Sequence, residues 1–421
     1  MPVFAHRGAA PDGTAQTRPG RAWARPLAYD GTMNLAAIQE ELRNQNLDGW
    51  LFFDHHLRDP LAYRVLGFEP PRTPTRRWYY LIPAEGEPRG LEHRIERNMT
   101  APLPGEKIPY SSWTEQVEGL RKITSGLRRV AMQYSPLCAI PYVAMVDAGT
   151  VELVRSVGVD VVTSAELIQF FEARWPPEAL ESHLEAGRRV DKVRAGAFAL
   201  IHERHNNGAP VTELEVKLFV RDGFAKAGLV TDHGPNIGAN ANASNPHYEP
   251  TEKMHAPIRP GDFVLMDMWA KLDQPGAVYY DITWTGYCGA EPPARIRNVF
   301  DVVTGARDAA IKKVKDSISA GYPLRGFEVD DACRGHIKSH GFGEYFTHRT
   351  GHSIGQEVHG NGANMDNLET HDERRVVAWT CFSIEPGVYL PEFGVRSEVN
   401  MFIGEGEAQV TGEIQRDLVL M

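Results

Sequence analysis

Along the chain, hydrophobic positions fall into two repeating rhythms. From Leu35, LAAIQEELRNQNLDGWLFFD spaces its apolar residues as one face of a helix, turns at Asp48-Gly49, then runs apolar from Trp50 to Phe53. That pattern predicts a helix feeding a buried strand. WYYLIP, GLRRVAMQY and VDVVTS continue the alternation of helix and strand. The break ARWPPEAL follows, with Pro176 and Pro177 placed to open a helix at its first turn. A long amphipathic pattern extends to about His205, and a second helix is predicted from Thr212 to Ala227, with Glu215 at the capping-box position. Helical spacing returns at residues 293–320 and 327–339. A turn-centred hairpin follows each pair of helices, so the second half of the chain is an architectural repeat. Residues 1–32, rich in Ala, Gly, Pro and Arg, carry neither rhythm and predict a flexible leader, with Met33 as an alternative start. The expected organisation is a leader over 1–32, an α/β domain over 33–171 and an α+β domain over 172–421.

Composition narrows the class. The chain has 421 residues, 42% of them hydrophobic, enough for two cores. A net charge of −10 without a basic run removes the electrostatic footprint of nucleic-acid binding. There is no run of about 18 apolar residues to span a membrane, and the first residues lack the apolar stretch of a secretory signal. Cys138, Cys288, Cys333 and Cys381 are widely spaced and read as reduced core residues. These features predict a cytoplasmic enzyme.

The chemistry is carried by acids in apolar surroundings. In FVLMDMWAKLDQPGAVYYDITWTGYCG, Asp267 and Asp281 are equidistant from Gln274, beside Pro275-Gly276. A hairpin centred there would set the two carboxylates directly opposite. In FSIEPGVYLPEFGVRSEVNMFI, Glu385 and Glu398 are symmetric about a Pro391-Glu392-Phe393-Gly394 turn. Opposed like charges about 5 Å apart destabilise a sheet, and a buried carboxylate without compensation costs several kcal/mol. Bound divalent cations would compensate, with imidazoles completing the set. THRTGHSIGQEVHG supplies His352, between Gly351 and Gly355, and His359; His247 precedes the first hairpin in SNPHYEP.

LMDMWA, YYDITWT, GHSIG, EVHG, IEPGVY and GVRSE, in this order and spacing, resemble the pita-bread metallohydrolases: aminopeptidase P, prolidase, methionine aminopeptidase and creatinase. The resemblance is strong from Pro177 to Met421 and weaker before it. It implies a creatinase-like α/β amino-terminal domain and a pita-bread catalytic domain built on a curved antiparallel sheet. It further implies Asp267, Asp281, His352, Glu385 and Glu398 as ligands of two divalent ions, Mn by ligand hardness, with Zn, Co or Fe as alternatives. His247, His359, Glu385 and Arg396 are implied as catalytic groups. The activity implied is hydrolysis of X-Pro dipeptides or short X-Pro peptides by a homodimer, the FDHHLRD loop with His55, His56 and Arg58 bordering the other subunit's site. The alternatives are a creatinase-like hydrolase of a small amide or amidine, a lyase on the same scaffold, or a non-catalytic peptide-binding module. Trp284 stands where peptidase members carry Arg, and Ser397 and Val399 flank Glu398 where Ile and Asp are commoner. With Trp269, Trp284 is expected to add bulk beside the pocket.

Overall fold

The computed structural model describes residues 33–421; the expectation of a leader over 1–32 lies outside the described residues. Helix α1 (Leu35–Asn44) is capped by Asn34 and leads into β1 (Gly49–Asp54), buried along its whole length. A six-stranded sheet forms from β1, β2 (Trp78–Pro83), β3 (Arg89–His93), β4 (Glu106–Tyr110), β5 (Arg129–Met132) and β6 (Asp160–Thr163), in the order β4-β3-β2-β1-β5-β6. Only β2 runs against the others. Helices α2 (Pro60–Leu66), α3 (Trp113–Ile123), α4 (Ala148–Ser156) and α5 (Ala165–Ile168) complete this part. Both faces of β1 are covered, with Trp50 and Phe52 in one apolar cluster and Leu51 and Phe53 in another. This explains a continuous apolar run where a half-buried strand would alternate.

Pro177 opens the 30-residue α6 (Pro177–Asn206) at its first turn, and α7 (Glu213–Lys226) starts at Thr212 with the expected reciprocal Thr212–Glu215 cap. These helices cover the outer face of a sheet containing β7 (Leu229–Val230), β8 (Asn236–Ala239), β9 (Phe263–Leu272) and β10 (Tyr280–Tyr287). Strict alternation sorts the strands. Val264, Met266, Met268, Tyr280 and Ile282 pack on α6 and α7, which turns Asp267, Trp269, Asp281 and Thr283 to the opposite, concave face.

The second half repeats the plan. Helices α8 (Ala294–Ser319) and α9 (Gly326–Ser339) pack against β12 (Thr380–Ile384) and β15 (Val399–Ile403), which lie between β11 (Ser353–Ile354) and β16 (Ala408–Thr411). The short pair β13 (Gly387–Tyr389) and β14 (Gly394–Arg396) forms the hairpin tip, and β17 (Val419–Leu420) returns beside β10. The two halves meet where the Glu398 N–H donates to the Thr283 carbonyl at 3.2 Å and the Asp281 N–H donates to Asn400 Oδ1 at 3.1 Å.

Cys288, Cys333 and Cys381 are buried, but Cys138 is exposed, so the reading of all four as core residues is corrected. It occupies an irregular segment in which Leu137 and Cys138 both have positive φ and little apolar surface is covered. Among the described residues no helix is long and apolar enough to cross a membrane.

Candidate metal centre

The first carboxylate pair departs from the expected register. Asp281 pairs with Trp269, and Asp267 with Thr283, so the two aspartates are diagonal neighbours and not directly opposed. The hairpin centres on Pro275 instead of Gln274, which moves the register by two residues. A two-residue shift preserves the face, and the Thr283 hydroxyl now lies between acids: it is 3.2 Å from Asp267 Oδ1 and 2.8 Å from Glu398 Oε2. The glutamates follow the expected symmetry. Ile384 pairs with Val399, and Gly387 with Arg396, so one register runs through both ladders and sets Glu385 across from Glu398.

His352 completes the cluster. Its Nε2 is 3.5 Å from Asp281 Oδ2 and 3.3 Å from Glu385 Oε1, while Nδ1 is 3.1 Å from the Ser353 carbonyl oxygen. Asp281, His352 and Glu398 each offer a ligand atom within 4.8 Å of the others'. Asp267 is drawn aside by Arg396, which donates to its Oδ2, to Thr283 Oγ1 at 2.9 Å and to the Tyr389 hydroxyl at 3.2 Å. Arg396 thus holds an acid of the cluster itself.

Charge is poorly balanced here. Burial pushes Asp267 up to about 7, against the pull of Arg396, and raises Asp281 and Glu398 far above the ordinary carboxylate range, with neighbouring acids adding to the rise. Burial acts on Glu385 too, but His352, His348, Arg396 and Arg349 around it outweigh it and hold that carboxyl down. Asp281 Oδ1 and Glu398 Oε1 are buried without a hydrogen-bond partner. Orphaned carboxylate oxygens, facing acids and an imidazole form a donor set suited to hard divalent cations.

The remaining predicted residues divide. His359 stacks edge-on to His352 with ring centroids 4.3 Å apart, and the His352 charge, then burial, pushes it down to about 3, although its side chain is open to solvent. His247 lies exposed on its loop, its N–H donating to Asn245 Oδ1 at 3.0 Å, and among the described residues no hydrogen bond or ion pair joins it to the cluster. Trp269 shares the face of Asp267, its indole N–H donating to Asp232 at 2.8 Å. Trp284 does not line the site. One position beyond Thr283, it points to the helical side, where the Arg194 guanidinium stacks 3.5 Å from its ring. That corrects the expectation of bulk from Trp284.

His348 was missed. Its Nε2 is 2.7 Å from the Tyr389 hydroxyl, which links it to Arg396. Burial lowers it to about 4, while Glu385 pulls it upward. The available signal was its place four residues before His352 in THRTGH. Arg349, beside it, donates to the Tyr142 hydroxyl and so ties this strip to the amino-terminal part.

Gly351 makes a test of how the backbone places His352. A Cβ there would lie 1.9 Å from the Ser383 carbonyl oxygen, whereas at Gly355 it would meet nothing closer than 4.0 Å. Gly351→Ala is expected to cost about 1–3 kcal/mol of stability and to weaken metal binding at least tenfold, with Gly355→Ala near wild type. Thermal melts and metal titrations check this; equal behaviour of the two variants would remove the proposed constraint.

Solved structures share this fold. A dipeptidase PepE from Mycobacterium ulcerans superposes with a TM-score of 0.64 at 21% identity, covering 92% of this chain and 96% of that one. A prolidase from Thermococcus sibiricus gives 0.60 at 22%, covering 92% and 98%. A pita-bread fold enclosing buried acids and an imidazole defines the metallohydrolase class. Residues 181–405 match metallopeptidase family M24, and the chain belongs to that family. It is 30% identical over 400 residues to an uncharacterized peptidase of Staphylococcus saprophyticus, spanning 90% of this chain and 99% of that relative. It is 32% identical over 223 residues to an Xaa-Pro dipeptidase of Lactobacillus delbrueckii subsp. lactis, a match over 52% of this chain and 55% of that relative's length. The family implies divalent metal ions.

Proposed function

We propose that the protein hydrolyses X-Pro dipeptides or short X-Pro peptides, using two divalent ions held by Asp267, Asp281, His352, Glu385 and Glu398. The observation that carries this reading is the pair of orphaned buried oxygens on Asp281 and Glu398, facing His352. Bound there, two divalent ions supply Lewis acidity that activates water near neutral pH and polarises the scissile carbonyl. Glu385, held ionised by the surrounding cations, accepts the proton released in the attack and passes it to the leaving amine. His359, neutral at pH 7, hydrogen-bonds the substrate and the developing oxyanion. Arg396 donates to Asp267 and opposes its protonation, and Trp269 lies beside Asp281 on the same face. His247 would join them by movement of its exposed loop on substrate binding. Mn is the first choice of metal, with Zn, Co or Fe next.

In the same reading residues 33–171 form a domain that restricts access, residues 172–421 form the catalytic domain, and the active species is a cytoplasmic homodimer.

The test is turnover of the metal-loaded protein on matched Ala-Pro and Ala-Ala dipeptides, longer X-Pro peptides and small amides such as creatine. The expected result is at least 10²-fold preference for the X-Pro bond. Turnover of creatine alone would transfer the assignment to a small-amide hydrolase, and two bound metals without any turnover would overturn hydrolysis altogether.

A further inference from the structure

The carboxyl edge of the amino-terminal sheet opens onto a second cavity. There β1, β3 and β4 end, β2 begins, and the first turns of α3 and α4 open onto a cavity of about 820 Å³. That volume is in the range of small-molecule pockets, and the carboxyl edge of such a sheet is where α/β folds bind ligands.

The lining is cationic. Arg58 rises from the loop after β1, while Arg76 and Arg77 precede β2, and among the described residues none of the three forms an ion pair. Among the described residues the Arg76 side chain hydrogen-bonds only Thr75 beside it, at 3.0 Å to the carbonyl and 3.2 Å to the hydroxyl. The lone lining carboxylate, Asp147, is occupied at the start of α4, accepting from the Thr150 N–H at 2.9 Å and hydroxyl at 2.8 Å. His55 faces the same space, and burial together with the charges of His56, Arg58 and Arg77 lowers its pKa.

The loop bearing Arg58 is pinned. His56 and Leu57 both adopt positive φ, at 68° and 58°, conformations costly for such side chains. The buried Asp54 carboxylate holds them by accepting from the Leu57, Arg58 and Asp59 N–H groups at 2.9, 2.7 and 3.0 Å. Trp113, the first residue of α3, lines the same cavity with 75% of its surface exposed.

We propose that this cleft binds a small phosphate monoester, its phosphate held by Arg58, Arg76 and Arg77 and a planar group stacked on Trp113. Guanidinium forks match phosphate oxygens bidentately, and an indole stacks on flat rings.

Calorimetric titration of the metal-loaded full chain at low salt, with phenyl phosphate and inorganic phosphate as probes, tests it. Phenyl phosphate should saturate one arginine-dependent site per chain. The R76Q/R77Q double variant should weaken it at least tenfold, and His352→Ala should leave it unchanged. Trp113→Ala should weaken phenyl phosphate several-fold and inorganic phosphate little. Arg58→Gln, from the separate loop after β1, keeps the test available if the double variant does not fold. Absence of a saturable site overturns the proposal, as does binding lost in His352→Ala but kept in the arginine variants, which would place the anion at the metal centre. Heat is read here and not turnover, so the outcome is independent of the peptidase assignment.

Discussion

Chelated protein is expected to become less stable as pH rises from about 6.5 to 8.5, while metal-loaded protein becomes more stable over the same window. Asp267 at about 7, and Asp281 and Glu398 higher still, have folded-state pKa values above their unfolded ones. The stability such groups contribute is fully present below the unfolded pKa and is lost as pH climbs through the folded one. For Asp267 the loss builds up between the ordinary carboxylate value and about 7, so above pH 6.5 the slope falls mainly to Asp281 and Glu398, which are raised further. Glu385 has the opposite sign, but its contribution is already complete above the ordinary carboxylate range. His348, His352 and His359 are depressed, so their contribution is lost only as pH falls below about 6.5. Above that, the raised acids decide the slope. A bound metal needs deprotonated ligands, so its affinity, and the stability linked to it, increases with pH. Melting temperatures with a chelator and with Mn, across this range, provide the check. A flat or rising chelated curve would mean that these acids do not share a buried site.

Much of this was legible because the concave face reads through the strands. Val264, Met266 and Met268 alternate with Leu265, Asp267 and Trp269, so the acids could belong only to the face that α6 and α7 do not cover. The same parity sends Trp284 away from the site, a consequence available from the sequence once Thr283 is placed with Asp281. Register was less accessible. Counting from Pro275-Gly276 located the turn, but the long loop beyond Ala270 shifts its centre by one position, and only the closed ladder reveals Thr283 between Asp267 and Glu398. His348 was illegible for a different reason. Its meaning comes from the Tyr389 hydroxyl on the hairpin tip, 41 positions away, and no local pattern encodes that contact. The cationic cleft likewise joins segments separated by dozens of residues, each unremarkable alone.

Arg396→Met should be among the most damaging single substitutions in the chelated protein. The residue is 3% exposed, and its guanidinium contacts Asp267, Thr283 and Tyr389 and lies 4.0 Å from Glu385. Removing one partner of a buried ion pair typically costs about 3–5 kcal/mol, because the other charge remains buried alone. Here the abandoned group is Asp267, already raised by burial and by the neighbouring acids Asp281 and Glu385. Arg396→Lys should recover part of the loss, since it returns a charge, but not the fork that reaches three partners at once. Added metal should narrow the gap between wild type and Arg396→Met by supplying positive charge to the same acids, while turnover stays at least 10²-fold down because Asp267 and Glu385 are no longer oriented. Denaturant unfolding of the three proteins, each with and without Mn, separates these effects. If chelated Arg396→Met unfolds at the wild-type midpoint, Asp267 is protonated in the folded protein and the ion pair is not what holds this face together.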